Sequence, residues 1–242
     1  MDLRNFDDLR PYKDDEIPAA IERLLKKEQT FRMMHFVYPD LEQEEITEML
    51  RSVKTTEDFQ IEVSAPAFKV IAQTTTNGLT FSNMDSIEKG VPYLFLSNHR
   101  DIILDSALLN VSLLEKGFET TQIAIGDNLL KNEIIEDIVR LNKSFIVHRN
   151  AAPKELLMLS RRLSNYIRKT ITEDQTSVWI AHKEGRSKDG DDRTASGLLK
   201  MLHSSSEASF EDSLAALNIV PTVVSYEYDP CDIYKANELL TI

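Results

Sequence analysis

The sequence predicts an α/β protein: a mostly parallel central sheet flanked by helices, with an N-terminal helical subdomain. Three observations predict this. From about residue 79 onward, short apolar runs alternate with longer amphipathic stretches, the pattern of parallel strands joined by crossover helices. The polar and glycine-bearing motifs follow the apolar runs, and in parallel sheets ligands gather at the carboxyl ends of strands. Residues 1 to about 75 instead carry only helical periodicity. The expected division is therefore 1–75 as a helical subdomain and 76–242 as the α/β domain.

In chain order, Ile17, Ala20, Ile21, Leu24 and Phe31 share one face of an amphipathic helix, as do Leu41, Ile46, Leu50 and Val53. A third helical stretch is expected from Pro66 to Ala72. After Thr74-Thr75-Thr76-Asn77-Gly78 come a short strand at Leu79-Thr80-Phe81, a turn at Glu88-Lys89-Gly90 and a core strand from Tyr93 to Ser97. A helix through Leu108, Leu109 and Leu113 should end near Lys116, with Gly117 as its C-cap. Next are a strand at Gln122 to Ile125, a helix from Asn128 to Leu141 and a strand at Phe145 to His148. The helix after Pro153 places Leu156, Leu159, Leu163 and Ile167 on one face and Arg161, Arg162, Arg168 and Lys169 on the other. Ser177 to Ala181 is again a strand, and Ile219 to Ser225, interrupted by Pro221, suits a sheet edge. Asp232 to Leu240 begins a further helix, which leads us to expect truncation at the C-terminus.

Composition narrows the function. At 242 residues and 42% hydrophobic content, the chain can bury a sizeable core. The single cysteine, Cys231, excludes an internal disulfide and suits a reducing compartment. No N-terminal segment resembles a signal peptide, and no apolar run approaches the ~18–20 residues of a membrane span. A net charge of −12 argues against general nucleic-acid binding. Residues 140–200, however, hold 13 Lys/Arg against 7 Asp/Glu. A local basic region in an acidic chain suits a small anionic substrate better than a long polyanion, though a solvated helix face accounts for part of it.

The chemistry concentrates at Ser97-Asn98-His99-Arg100-Asp101-Ile102-Ile103-Leu104-Asp105. A histidine between strand and helix, with a carboxylate about one turn on, suits a general base whose ring the carboxylate orients. The same residues also suit an aspartate N-cap beside an ordinary histidine. His99-Arg100-Asp101 spells a protein-kinase catalytic loop, but Ser106 stands where that loop needs asparagine and no Gly-rich phosphate loop occurs. A second constellation, His182 to Gly190, follows the Trp179 strand; its glycines allow close backbone approach and its Lys and Arg suit an anion. Arg149 ends the Phe145 strand, and Gly126-Asp127-Asn128 reads as a turn and cap. His35, His148 and His203 read as structural or surface residues. No Cys/His metal cluster occurs.

Taken in order, these pieces resemble the glycerophospholipid acyltransferase family, which includes the lysophosphatidic acid acyltransferases. Its first block, Asn-His-x4-Asp after a strand, is similar to Asn98-His99-Arg100 through Asp105. Its strand ending in Arg resembles Phe145 to Arg149. Its E-G-x-R-S loop resembles Glu184-Gly185-Arg186-Ser187, and its V-P strand resembles Val220-Pro221. The resemblance covers about residues 78–228. Two departures stand out: the candidate aspartates lie two (Asp101) and six (Asp105) positions after His99 rather than five, and no residue separates Gly185 from Arg186.

The resemblance implies transfer of a fatty acyl group from an acyl thioester, on coenzyme A or acyl carrier protein, to the hydroxyl of a glycerol phosphate or lysophospholipid. His99 would be the base, with Asp105 preferred over Asp101 as its partner because Asp101 is placed to cap the helix. Arg149, Gly185 and Arg186 would hold the acceptor phosphate, and Asn98, Arg100, Glu184 and Ser187 would line the substrate site. No cofactor or metal is expected, since the thioester is already activated. The protein is expected to be cytoplasmic, with peripheral contact on the inner face of the membrane and the basic face of the helix after Pro153 toward the headgroups. Two other readings are an O-acyltransferase acting on an acyl-amino acid lipid and a non-catalytic lipid-binding module.

Overall fold

The protein is described by a computed structural model covering residues 5–149 and 152–241. Its elements in chain order are α1 (Ile17–Leu25), α2 (Glu28–Val37), α3 (Gln43–Ser52), α4 (Thr56–Asp58), a π-helical segment (Phe59–Ser64) and α5 (Ala65–Thr75). Then follow β1 (Leu94–Ser97), α6 (Leu104–Glu115), β2 (Gln122–Gly126), α7 (Glu133–Leu141), β3 (Ser144–Val147), α8 (Pro153–Thr172) and β4 (Val178–Ala181). The chain finishes with α9 (Ser196–His203), α10 (Phe210–Ala215), β5 (Ile219–Thr222) and α11 (Asp232–Leu240). Strands pair in parallel and helices flank them, so the protein is α/β. Two compact units share these elements: Asp7–Lys89 with Asn110–Arg149, and Gly90–Leu109 with residues 152–241 and 5–6. The helices expected through residue 75 thus belong to a unit that also includes β2, α7 and β3.

In the helical unit, Ile17, Ala20, Ile21 and Leu24 recur at helical spacing and are all buried. The helix does not run on to Phe31, because Lys27 is extended (φ −111, ψ 121) and α2 starts afresh after it. The Thr30 hydroxyl closes this break by donating to Leu24 O at 2.7 Å. Ile46, Leu50, Val53, Phe59, Val63 and Leu141 join the α1 residues in one core, where each fully buried aliphatic side chain stabilises by about 1.5–3 kcal/mol. Gln60, buried, donates from Nε2 to Thr121 O and Asn142 O and so ties the π-helical segment to the β2 and β3 region. Asp137 of α7 accepts from the Tyr12 hydroxyl at 2.6 Å and from Arg23 of α1 at 2.5 and 3.0 Å.

Two expected boundaries differ here. Leu79-Thr80-Phe81 forms no strand; Leu79 is exposed and none of the recorded strand pairings includes these residues. The helix expected from Asn128 begins at Glu133, because the Asn132 side chain caps it by accepting from Ile135 N. The expected helix end at Gly117 is present, with φ +73 and Gly117 N donating to Leu114 O.

In the other unit, β1 lies between β4 and β5. The register sets Ser97 beside Ala181 and Thr222, so all three strands end level. Pro221 is tolerated in β5 because that strand is at the sheet edge. On α8, Leu163, Ile167 and Ile171 are buried, as the apolar stripe predicts. The basic face does not form as expected. Arg162 is only 3% exposed and donates to Asn5 O at 2.8 Å. Arg168 donates to Leu202 O and Ser213 O, carbonyls in the last turns of α9 and α10, and burial pushes its pKa down. Lys169 pairs with Asp174. Carbonyls left open at helix ends have drawn Arg168 inward, and the carbonyl of Asn5 has drawn Arg162.

Two stability predictions follow from the helical unit. Asp137→Ala removes the acceptor shared by Tyr12 and Arg23 and should destabilise the protein by about 2–3 kcal/mol in urea unfolding. An unchanged midpoint would show that water replaces the carboxylate without cost. The second concerns Glu16, whose hydrogen bond from Arg10 outweighs burial and lowers its pKa from 4.5 to about 2. A depressed carboxylate stabilises fully above pH 4.5 and loses that contribution as pH falls toward 2. Glu16→Gln should therefore flatten the stability profile within that window and, above it, lower the plateau without changing its slope.

Candidate active site

The level ends of β4, β1 and β5 determine what meets above them. His182 N donates to Ser97 O at 2.7 Å, extending the pairing of β1 and β4 by one residue. Beyond these ends lie the Asn98–Asp101 turn, the loop from His182 to Asp192 and the segment from Val223 to Tyr226. All belong to one compact unit.

His99 Nδ1 lies 3.0 Å from Asp105 Oδ2. Asp105 opens the first turn of α6 and is fully buried, while the His99 side chain keeps 15% of its surface. The same Oδ2 accepts Arg100 N at 2.6 Å and Asp101 N at 3.0 Å. Asp101 takes a different part: its Oδ1 accepts Ile103 N and Leu104 N, both at 2.9 Å, and caps the start of α6. The six-residue separation therefore pairs His99 with Asp105, with the extra residue absorbed in the turn ahead of α6. A carboxylate on Nδ1 selects the tautomer whose Nε2 carries the lone pair, and Nε2 can then take a proton. The Trp179 and His99 rings pack in a T-shaped arrangement, centroids 5.9 Å apart.

The neighbouring polar residues form a brace. Asn98, expected to line the substrate site, is buried; its amide donates to Asp192 at 3.2 Å and Val224 O at 3.0 Å and accepts Val224 N at 2.8 Å. Arg100 donates to Asp189 O at 2.7 Å and sits 3.2 Å from Asp192. Burial opposes the charge on Asp192, but hydrogen bonds from Asn98 and Ser187 and the field of Arg100 prevail and lower its pKa. Ser187 is buried, and its N donates to His99 O at 2.7 Å, which pins the Glu184–Ser187 loop directly to the histidine. Gly185 supplies the positive φ (+73) that this loop requires. Glu184 is exposed, and Arg186 lies 3.8 Å from Glu238 of α11, which Lys188 also contacts at 2.7 Å.

Arg149 belongs to the other unit. There its backbone N donates to Asp127 at 3.2 Å, and its guanidinium passes so close to Gly126 that a Cβ would meet it at 2.9 Å. One residue of the His99 surroundings, Tyr226, escaped sequence reasoning, and the sequence marks His182 only as the start of the loop after the Trp179 strand. The Tyr226 hydroxyl donates to Asp105 Oδ1 at 3.0 Å, and His182 is buried, with burial holding its pKa down. Each follows a strand paired with β1, a register that only the structure supplies. Among the described residues, no group of three or more His, Cys, Asp or Glu could hold a metal ion.

No curated protein matches the chain. A solved structure, the 1-acyl-sn-glycerophosphate (LPA) acyltransferase PlsC from Thermotoga maritima, is similar with a TM-score of 0.44 and 12% identity, over 80% of this chain and 72% of that one. The family model described as Acyltransferase matches residues 78–225, a stretch that holds β1 to β5 together with His99, Asp105 and the Glu184–Ser187 loop. On that match the chain belongs to the acyltransferase family.

Proposed function

We propose that the protein transfers a fatty acyl group from an acyl thioester to the hydroxyl of a glycerol phosphate or lysophospholipid, with His99 as general base. The observation that carries this reading is the His99–Asp105 pair, 3.0 Å apart at the end of β1 with the arginine-bearing loop bonded to the His99 carbonyl. His99 Nε2 takes the proton of the acceptor hydroxyl as its oxygen attacks the thioester carbonyl. Asp105 holds the ring and stabilises the imidazolium. Collapse of the tetrahedral intermediate breaks the carbon–sulfur bond, and the imidazolium returns its proton to the leaving thiolate. The new ester and a free thiol result, and His99 is again neutral. Arg186 supplies charge for the acceptor phosphate, which would take the place of Glu238 beside it. Coenzyme A or acyl carrier protein carries the donor. Lipid acceptors reside in a bilayer, and among the described residues no helix is long and apolar enough to cross one. The proposed membrane contact is accordingly peripheral, on the inner face.

Acyl transfer by the purified protein, with lysophosphatidic acid, an acyl-amino acid or no acceptor, tests the reading. Turnover with the phosphate-bearing acceptor is expected. Turnover with the amino-acid lipid alone, or binding without turnover, would overturn it. His99→Ala should lower kcat by about 10²- to 10⁴-fold with the fold intact, and Asp105→Asn should cost nearly as much. Wild-type rates in the His99 variant would remove the base.

The phosphate assignment has its own test. A charged hydrogen bond contributes about 1.5–3 kcal/mol, so Arg186→Ala should weaken apparent acceptor affinity by roughly 10- to 150-fold while donor KM changes little. Arg186→Lys should restore part of the loss, through charge without the paired donors. Unchanged acceptor titrations with lysophosphatidic acid would discard this role.

A further inference from the structure

Each oxygen of the Asp105 carboxylate has its own set of partners. Oδ2 receives His99 Nδ1, Arg100 N and Asp101 N. The hydrogen bond to Oδ1 comes from the Tyr226 hydroxyl, at 3.0 Å. The two oxygens are chemically identical, so a carboxylate turned about its Cβ–Cγ bond would be the same group. Its plane is held only by what binds each oxygen. Asp105 is 0% exposed, so bulk water does not reach it to substitute for a lost partner.

Tyr226 is itself held in register with the histidine. It lies four residues beyond the end of β5, and Val224 between them exchanges two backbone hydrogen bonds with the Asn98 side chain. Asn98 directly precedes His99, so the tyrosine and the imidazole are pegged to the same point of β1. Burial first, and then the negative charge of Asp105, push the phenol well above its ordinary pKa. Tyr226 therefore stays a donor throughout the working pH range.

We infer that Tyr226 is a positioning residue for the His99–Asp105 pair: its hydroxyl holds the plane of the Asp105 carboxylate so that Oδ2 faces Nδ1 of His99. The kinetic consequence rests on the acyl-transfer reading, whereas the orientation of the pair does not. Tyr226 touches no reacting atom and acts through Asp105. It also lies one residue beyond the 78–225 segment that the family match covers.

Tyr226→Phe removes the one oxygen and keeps the ring. In the resting protein, the low-field proton resonance of the His99 Nδ1–H bond, assigned by its loss in Asp105→Asn, should move or broaden in Tyr226→Phe. A fluorinated tyrosine placed at position 226 keeps the shape and donates more strongly, so it should move the resonance the opposite way. In acyl transfer, Tyr226→Phe should lower kcat by about tenfold and leave both KM values within about twofold. Added to Asp105→Asn, it should cost less than about twofold more, because its route runs through that carboxylate. A resonance unmoved by both changes at position 226 overturns the inference, as does a full tenfold loss persisting in the Asp105→Asn background. A resonance that responds in a protein with no acyl transfer to any acceptor would sustain Tyr226 as positioning residue and reject the proposed function.

Discussion

The organising interaction is the buried carboxylate of Asp105. A fully buried anion is costly unless hydrogen bonds and charges compensate it, and here four donors converge on it. Two are backbone N–H groups of the turn that leads into α6, so the turn, the helix start and the imidazole all depend on one side chain. Asp101 completes the turn by capping α6. Satisfying the carboxylate therefore also fixes where the His99 ring points.

The brace around this centre is polar and largely internal. Asn98, Arg100, Ser187 and Asp192 connect the end of β1 to the loop after β4 and to the segment after β5. Lys235 extends it from α11: buried, it donates to Arg100 O at 2.6 Å and pairs with Asp229. Loops over the ends of a parallel sheet have few ladder bonds of their own, and buried side-chain amides and carboxylates supply the missing constraints. Residues whose types suggest substrate contact thus serve here to hold backbone.

The same logic governs α8. A run of Arg and Lys at helical spacing on one face reads as solvated or membrane-facing, yet Arg162 and Arg168 turn inward to backbone carbonyls. Helical periodicity reports which residues share a face. It does not report which carbonyls of other elements stand opposite that face.

Sequence by itself determined the α/β class, the alternation of strands and helices, and the place of His99 at a strand end. Those features come from local apolar periodicity and from residue types confined to strand-to-helix turns. It offered both Asp101 and Asp105 as partners of His99 and favoured Asp105 because Asp101 stands at a capping position. It misplaced the Leu79–Phe81 strand, since three residues of apolar–polar alternation carry no sign of whether a ladder partner exists. It did not separate α1 from α2, where an extended Lys27 interrupts a continuous apolar pattern. Only the tertiary structure decided which groups meet above the strand ends. Tyr226 is 121 residues from Asp105 and Asn98 is 126 from Val224, and no local spacing encodes such pairs. They are set by the parallel register of β1 with β4 and β5, which brings Ser97, Ala181 and Thr222 level and delivers the residues after each to one place.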